Sequence, residues 1–161
     1  MLTFRFATRE DVDLYFNWTN EAEVRNNSYN RSPVEYPDHV SWFNKRVDAP
    51  DCSLYLFLNE EGVPVGQVRI EKDTTGDGRR SVISISTDKQ FRGMGHGTEM
   101  LQLASDDFLS VNPGYTIVAY IFEVNKASVK SFKNAGYVLT EQKEVKGIPS
   151  FIMEKKSHAE H

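Results

Sequence analysis

A single cysteine stands in the 161 residues, so Cys52 has no partner for an intramolecular disulfide. That excludes a disulfide-stapled scaffold and suits a reducing compartment, so a cytoplasmic location is expected. Nothing near Cys52 in sequence would activate a thiol, and it reads as a core or edge residue rather than a nucleophile. Long apolar runs are also missing: none approaches the roughly 20 residues of a spanning helix. Residues Met1–Ala7 lack the basic region and apolar core of a secretory leader. Positive charge is in deficit, with 19 Lys and Arg against 23 Asp and Glu, net −4. With no basic stripe, neither nucleic acid nor a membrane is expected as a partner. No spacing of His, Cys and Asp suggests a metal site, so none is expected. Repeats, linkers and low-complexity segments are absent too. Residues 1–156 therefore read as one domain, and 157–161 as a polar tail with no assigned function.

What is present is an alternation of strand and helix signals. Leu2, Phe4 and Phe6 alternate as in a strand. Thr8 and Asp11 resemble a capping box, followed by Val12, Tyr15 and Phe16 on one helical face. Residues 20–38 turn polar and irregular, and a second helix is expected over 38–47. Residues 53–58 and 63–71 form a hairpin pair around Asn59–Gly62, and the turn 74–78 leads to a strand over 80–87. A long amphipathic helix lasts to about Ser110. A strand over 116–122, a helix over 125–135 ended by Gly136, and a last hairpin (137–145 and 150–155) complete the chain. The order β-α-α-β-β-β-α-β-α-β-β is a mixed α/β (α+β) class: a mostly antiparallel sheet of about six to seven strands flanked by four helices.

Arg92-Gly93-Met94-Gly95-His96-Gly97-Thr98 joins a β-branched strand to the long helix. Three alternating glycines let a backbone approach a ligand closely. A helix start offers unpaired N–H groups and the positive end of its dipole, a phosphate site. The plainer reading is a glycine-rich turn that begins a structural helix. Gly97-Thr98 lacks the lysine of a P-loop, and the turn lies too late in the chain for a dinucleotide fold.

A second constellation follows the next strand: Asn125, Ser128 and Phe132 fall on one helical face, then come Gly136 and Tyr137. As plain structure, Asn125 is a helix cap and Phe132 a core ring. Together, Arg92-x-x-Gly95-x-Gly97 and Asn125-x-x-Ser128 with Phe132-x-x-x-Gly136-Tyr137 resemble the GCN5-related N-acetyltransferase (GNAT) superfamily. The element order agrees over nearly the whole chain. The resemblance implies acetyl-coenzyme A (acetyl-CoA) as co-substrate. The amides of Arg92, Gly93, Met94, Gly95, His96, Gly97 and Thr98 would hold its pyrophosphate. The backbone of Ile85, Ser86 and Thr87 would pair with the pantetheine where neighbouring parallel strands splay. Asn125, Ser128 and Phe132 would line the coenzyme arm.

At the reacting centre the chain departs from the family. Val82 stands where many members carry a carboxylate, and Phe132 where many carry a tyrosine acid. Holding amine and thioester together can still supply much of the rate. An acceptor of lowered pKa eases deprotonation, since α-amines titrate near ~8 and lysine near ~10.4. Three substitutes are candidates. Glu123 ends a central strand, against a plain solvated carboxylate. Tyr120 lies on the same strand, against a buried structural tyrosine. His39 could be an exposed base near a cleft, against packing beneath Trp42 and Phe43. Asp106 and Asp107 read as a solvated helix face.

Asn17-Trp18-x-Asn20, Arg25-Asn26-Asn27-Ser28-Tyr29 and His39-x-x-Trp42-Phe43 resemble the acceptor-side helices of GNAT members that acetylate nucleotide-linked amino sugars, and of ribosomal-protein N-terminal acetyltransferases. Asn26, Asn27, His39 and Trp42 are the candidate acceptor contacts, because aromatic faces and amides suit a sugar or nucleobase. The expected function is acetyl transfer to a primary amine of a small molecule, a nucleotide-linked amino sugar first. The alternatives are a protein or peptide amine, and a coenzyme-binding module without turnover. A homodimer is expected from the family's habit.

Overall fold

The computed structural model describes residues 1–76 and 78–157; Asp77 of the expected 74–78 turn and tail residues 158–161 lie outside the described residues. Seven strands form one sheet: β1 (Thr3–Phe6), β2 (Cys52–Leu58), β3 (Pro64–Lys72), β4 (Arg80–Thr87), β5 (Thr116–Phe122), β6 (Val138–Val145) and β7 (Ile148–Lys156), in the order β1-β2-β3-β4-β5-β7-β6. Every neighbouring pair is antiparallel except β4 and β5, which are parallel. Among the described residues five α-helices accompany it: α1 (Val12–Thr19), α2 (Ala22–Asn26), α3 (Tyr36–Asp48), α4 (His96–Val111) and α5 (Lys126–Asn134). No helix among the described residues is long and apolar enough to cross a membrane.

Alternation along the strands sorts the side chains into two cores. Val68, Ile70, Ile83, Ile117 and Ala119 face Met100, Leu101, Ala104 and Phe108 of α4. On the other face Leu54 and Leu56 meet Tyr15, Trp18 and Phe43 of α1 and α3. This layer packs mainly on β2–β4 and reaches β5 and β7 through Tyr29, whose ring meets Phe122 and whose hydroxyl is 2.6 Å from Ser150 Oγ; Val82 and Tyr120 stay 37% and 42% exposed.

The expected mixed class, mostly antiparallel sheet and element order hold, with two local corrections. The stretch 20–38, read as irregular, contains the short helix α2. Its Glu21 side chain accepts a hydrogen bond from the Val24 amide at 3.3 Å, and five residues are too few to show a helical hydrophobic period. Helix α3 begins at Tyr36 rather than Asp38, because Pro37 sits in its first turn, where the missing N–H would be unpaired anyway. The start of α1 follows the reading: the Asp11 carboxylate accepts from the Thr8 amide at 2.8 Å and is gripped by both Arg5 Nη atoms at 2.9 Å.

Candidate active site

β4 and β5 run side by side for three residues only, Arg80 to Val82 against Thr116 to Val118. β4 continues to Thr87 and β5 to Phe122, so Ile83–Thr87 has no strand partner on that side. An unpaired strand edge is a template for another extended chain. On its other side β4 is fully paired with β3, from Ser81↔Lys72 to Thr87↔Gly66, which holds that edge rigid.

The edge leads into the glycine turn. Gly93 and Gly95 both adopt left-handed backbone, φ +80 and +81, and a Cβ at either would meet nothing within 4 Å. Glycine is needed there for conformation, and the space in front is open. Gly95 is also the N-cap of α4, and it has no side chain to bond the first-turn amides. Glu99, the acid of that turn, is turned away to accept from the Leu2 amide at 2.8 Å. The first amides of a 16-residue helix are thus left with the dipole's positive end. Arg92 is not free beside them: its Nη2 is 2.8 Å from Glu21 Oε2, and Nη1 pairs with Glu23.

Around α5 the structural readings prevail. Asn125 Oδ1 accepts from the Ser128 amide at 3.3 Å, an N-cap. Phe132 is 3% exposed and packs edge-to-face on Tyr137, ring centres 5.0 Å apart. The expectation that its ring lines the coenzyme arm is corrected: helical spacing turns Phe132 into the core, while Asn125 and Ser128 sit at the helix start, only partly buried.

Between α1–α3 and β3–β4 lies a cavity of about 170 Å³, lined by Trp18, Arg25, Trp42, Arg69, Ser84 and Ser86 among others. Ser84, Ile85 and Ser86 thus serve two surfaces, the cavity wall and the unpaired edge. Of the candidate acceptor contacts, Trp42 and His39 line it. Asn26 and Asn27 do not; Asn26 is exposed and Asn27 donates to the Glu23 carbonyl at 3.0 Å, so Arg25 and Ser28 line it instead. Arg25, Arg69, Ser84 and Gln67 were missed by the sequence reading. The alternation Val68-Arg69-Ile70 sets Arg69 on the face opposite the main core, but that Trp42 covers this face is a tertiary fact no local pattern carries. A larger hollow of about 580 Å³ beside Gln102, Gly136 and Lys155 meets neither the unpaired edge nor the glycine turn.

Against known proteins, residues 1–138 match the model of the acetyltransferase (GNAT) domain. The chain belongs to the GNAT acetyltransferase family. It is an acyltransferase, and acetyl-coenzyme A is the family's donor. No curated protein matches the sequence. The fold is similar to that of aminoglycoside acetyltransferase AAC(6')-Ib, solved with coenzyme A. Identity is 19%, coverage 99% of this chain and 96% of that one, and the TM-score 0.81. It is also similar to spermidine N-acetyltransferase from Vibrio cholerae, solved with coenzyme A and spermine. There identity is 16%, coverage 95% and 92%, and the TM-score 0.80.

In this GNAT domain the three catalytic candidates separate. His39 is 2% exposed, so the expected exposed base is corrected. Its Nε2 lies 2.9 Å from the Val12 carbonyl, and its ring stacks on Phe43 at 5.7 Å. Burial holds its pKa below the ordinary value, so the neutral ring donates Nε2–H and braces α3 against α1. Tyr120 lies within β5, whereas Glu123 falls just past its end, in the turn before α5. Glu123 accepts from the Gln142 amide at 3.2 Å, toward β6 and away from the cavity. Tyr120 shares the face of Val118 and Val82, and its hydroxyl has no hydrogen-bond partner among the described residues. Cys52 is partly buried beside Tyr15 and Leu54, its thiol pushed up to about 11 chiefly by burial, and is no acyl carrier at neutral pH. Nor is Asp107 merely solvated: it accepts from the Tyr55 hydroxyl at 2.9 Å. Among the described residues no group of three or more His, Cys, Asp or Glu side chains gathers to hold a metal.

Proposed function

We propose that this protein transfers the acetyl group of acetyl-CoA to a primary amine of a small molecule, by direct attack in a ternary complex. One observation carries the reading: Ser84–Ser86 form both the unpaired strand edge and a wall of the cavity. Pantetheine pairing along Ile85–Thr87 brings the thioester to that edge, and an amine held in the cavity meets it there. The diphosphate rests on the amides of Gly93–Thr98, with Asn125 and Ser128 flanking the arm. The amine nitrogen attacks the carbonyl carbon, the C–S bond breaks, and the amine's surplus proton goes to water through the Ser84 and Ser86 hydroxyls. Tyr120 is the candidate acid for the departing thiolate, supported by its face and its free hydroxyl.

The acceptor proposed first is a nucleotide-linked amino sugar, with the amine-bearing ring in the cavity. The two tryptophans and the hydroxyl-rich wall support it. A basic peptide would call for an acid-lined groove; Glu21 and Glu23 are committed to Arg92. The reading includes a cytoplasmic location and a homodimer, the latter supported by the exposed edge strand β6. Thiol release from acetyl-CoA with a panel of nucleotide amino sugars, polyamines, amino acids and N-terminal peptides tests it. A selective signal, lost in Gly95→Asp, is expected; coenzyme binding without transfer to any amine would leave only a binding module.

A further inference from the structure

Arg69 sits in mid-strand between Val68 and Ile70, which point into the main core. Its own side chain lies on the cavity face, the guanidinium carbon 5.0 Å from the centre of the Trp42 ring. Among the described residues no carboxylate reaches ion-pair distance of it, and it makes no hydrogen bond. Glu71, the acid that most favours its charge, is engaged by Arg46 Nε at 3.3 Å. Burial pulls the guanidinium below its ordinary pKa, yet arginine stays charged in proteins.

A second guanidinium shares the cavity. Arg25 donates to the carbonyls of Asn30 and Ser32 at 2.9 and 3.1 Å, while its Nε is buried without a partner. Tyr15, also on the wall, has a buried hydroxyl with no partner. Two arginines and no carboxylate line this enclosure, although the chain as a whole carries net charge −4. Arg69 is half-buried, so its charge is partly desolvated, and without a paired counter-ion it favours an anion from outside. A cation–π contact alone does not neutralise it.

We propose that the acceptor carries an anionic group, a carboxylate or a phosphate, which Arg69 receives while the amine faces the β4 edge. This rests on the acyl-transfer reading above. The register sets the spacing: Ser84 is the direct cross-strand partner of Arg69 on the same face. Their backbones lie one strand spacing of ~4.8 Å apart, so a single small molecule can reach from the β4 edge to the Arg69 guanidinium. A planar guanidinium offers either oxyanion a two-pronged hydrogen bond. Polyamines, which bring only positive charge, are rejected by the same groups.

Matched acceptors test this: an α-amino acid against its carboxamide, and an amino-sugar phosphate against the free amino sugar. Acetyl-transfer kcat/KM is measured for each, with calorimetric binding to the protein saturated with coenzyme A. The anionic member of one pair is expected to be favoured by about 50-fold or more, and which pair responds tells carboxylate from phosphate. Arg69→Met keeps the apolar stem over Trp42 and should cut the preference to about threefold; Arg69→Lys should keep part of it, and coenzyme affinity should not change. Equal handling of both members, a preference for a polyamine, a preference that survives Arg69→Met, or failure of both anions to bind would overturn the proposal. Arg69-dependent anion binding with no acetylation would sink the acyl-transfer reading and leave Arg69 as an anion site only. Acetylation without an anion preference would do the reverse.

Discussion

Arg92 and Glu21 form a 2.8 Å ion pair that fastens the glycine turn to α2, whose Val24 and Arg25 line the cavity of about 170 Å³. Glu21 also caps α2, and Arg92 holds its carboxyl below the ordinary range. The proposed coenzyme and acceptor surfaces are therefore mechanically joined. Glu21→Gln keeps the cap and removes the charge. Expected are a stability loss under about 1 kcal/mol, because the pair is partly solvated, and a several-fold rise in acceptor KM. Coenzyme affinity should rise about twofold, since the freed Arg92 adds positive charge near the diphosphate. Calorimetry and steady-state kinetics would show the two moving in opposite directions; movement together would mean that α2 and the turn are independent.

Tyr120→Phe removes one free hydroxyl from a partly exposed position. Folding stability should stay within about 0.5 kcal/mol, as for a surface change. If Tyr120 protonates the thiolate, kcat should fall roughly 10²-fold with KM little changed. An unchanged kcat would remove it from the reaction.

His39 predicts a pH dependence of stability. Its folded pKa is depressed by burial, so below the ordinary value of 6.5 the unfolded chain binds a proton that the folded one resists. Stability should therefore fall as pH drops through ~6.5 and continue to fall until the depressed folded pKa is passed. Urea melts at pH 7.5 and 5.5 should show this loss, and His39→Gln should flatten it at some cost to the midpoint. A slope that persists unchanged in the variant would place its origin elsewhere.

Gly66 faces Thr87 across the β3–β4 pair. A Cβ there would lie 2.7 Å from the Ser86 carbonyl and 2.9 Å from the Met100 side chain. Gly66→Ala should cost about 1–3 kcal/mol as overpacking. Met100 can give way; the Ser86 carbonyl moves only if β4 moves, so coenzyme affinity should fall with the thermal midpoint. A normal midpoint with normal affinity would show that the edge is more pliant than this packing implies.

Much of this was legible in the chain. Strand alternation, the capping residues Thr8, Asp11 and Asn125, and Gly136 after α5 act over a few residues, so local sequence reports them. The glycine turn was legible because two left-handed positions before a helix leave few alternatives to glycine. Other features were not. Phe132 and Asn125 share a helical stripe, but which of them meets the core depends on where α4 lies. His39 could be judged exposed or buried only once α1 and Phe43 were in place. Arg69 looked like any strand arginine until α3 covered that face with Trp42.

The sequence by itself determined the element order, the helix starts and the phosphate-ready turn, because those rest on backbone preferences and hydrogen bonds within a few residues. Only the tertiary structure decided that β4 and β5 part after Val82, that Tyr120 is left exposed on β5 while Glu123 bonds to Gln142 of β6, and that Arg69 and Arg25 line one cavity with no carboxylate among its described lining residues. Those depend on which strand lies beside which and on what covers each face, relations between residues tens of positions apart that no local pattern encodes.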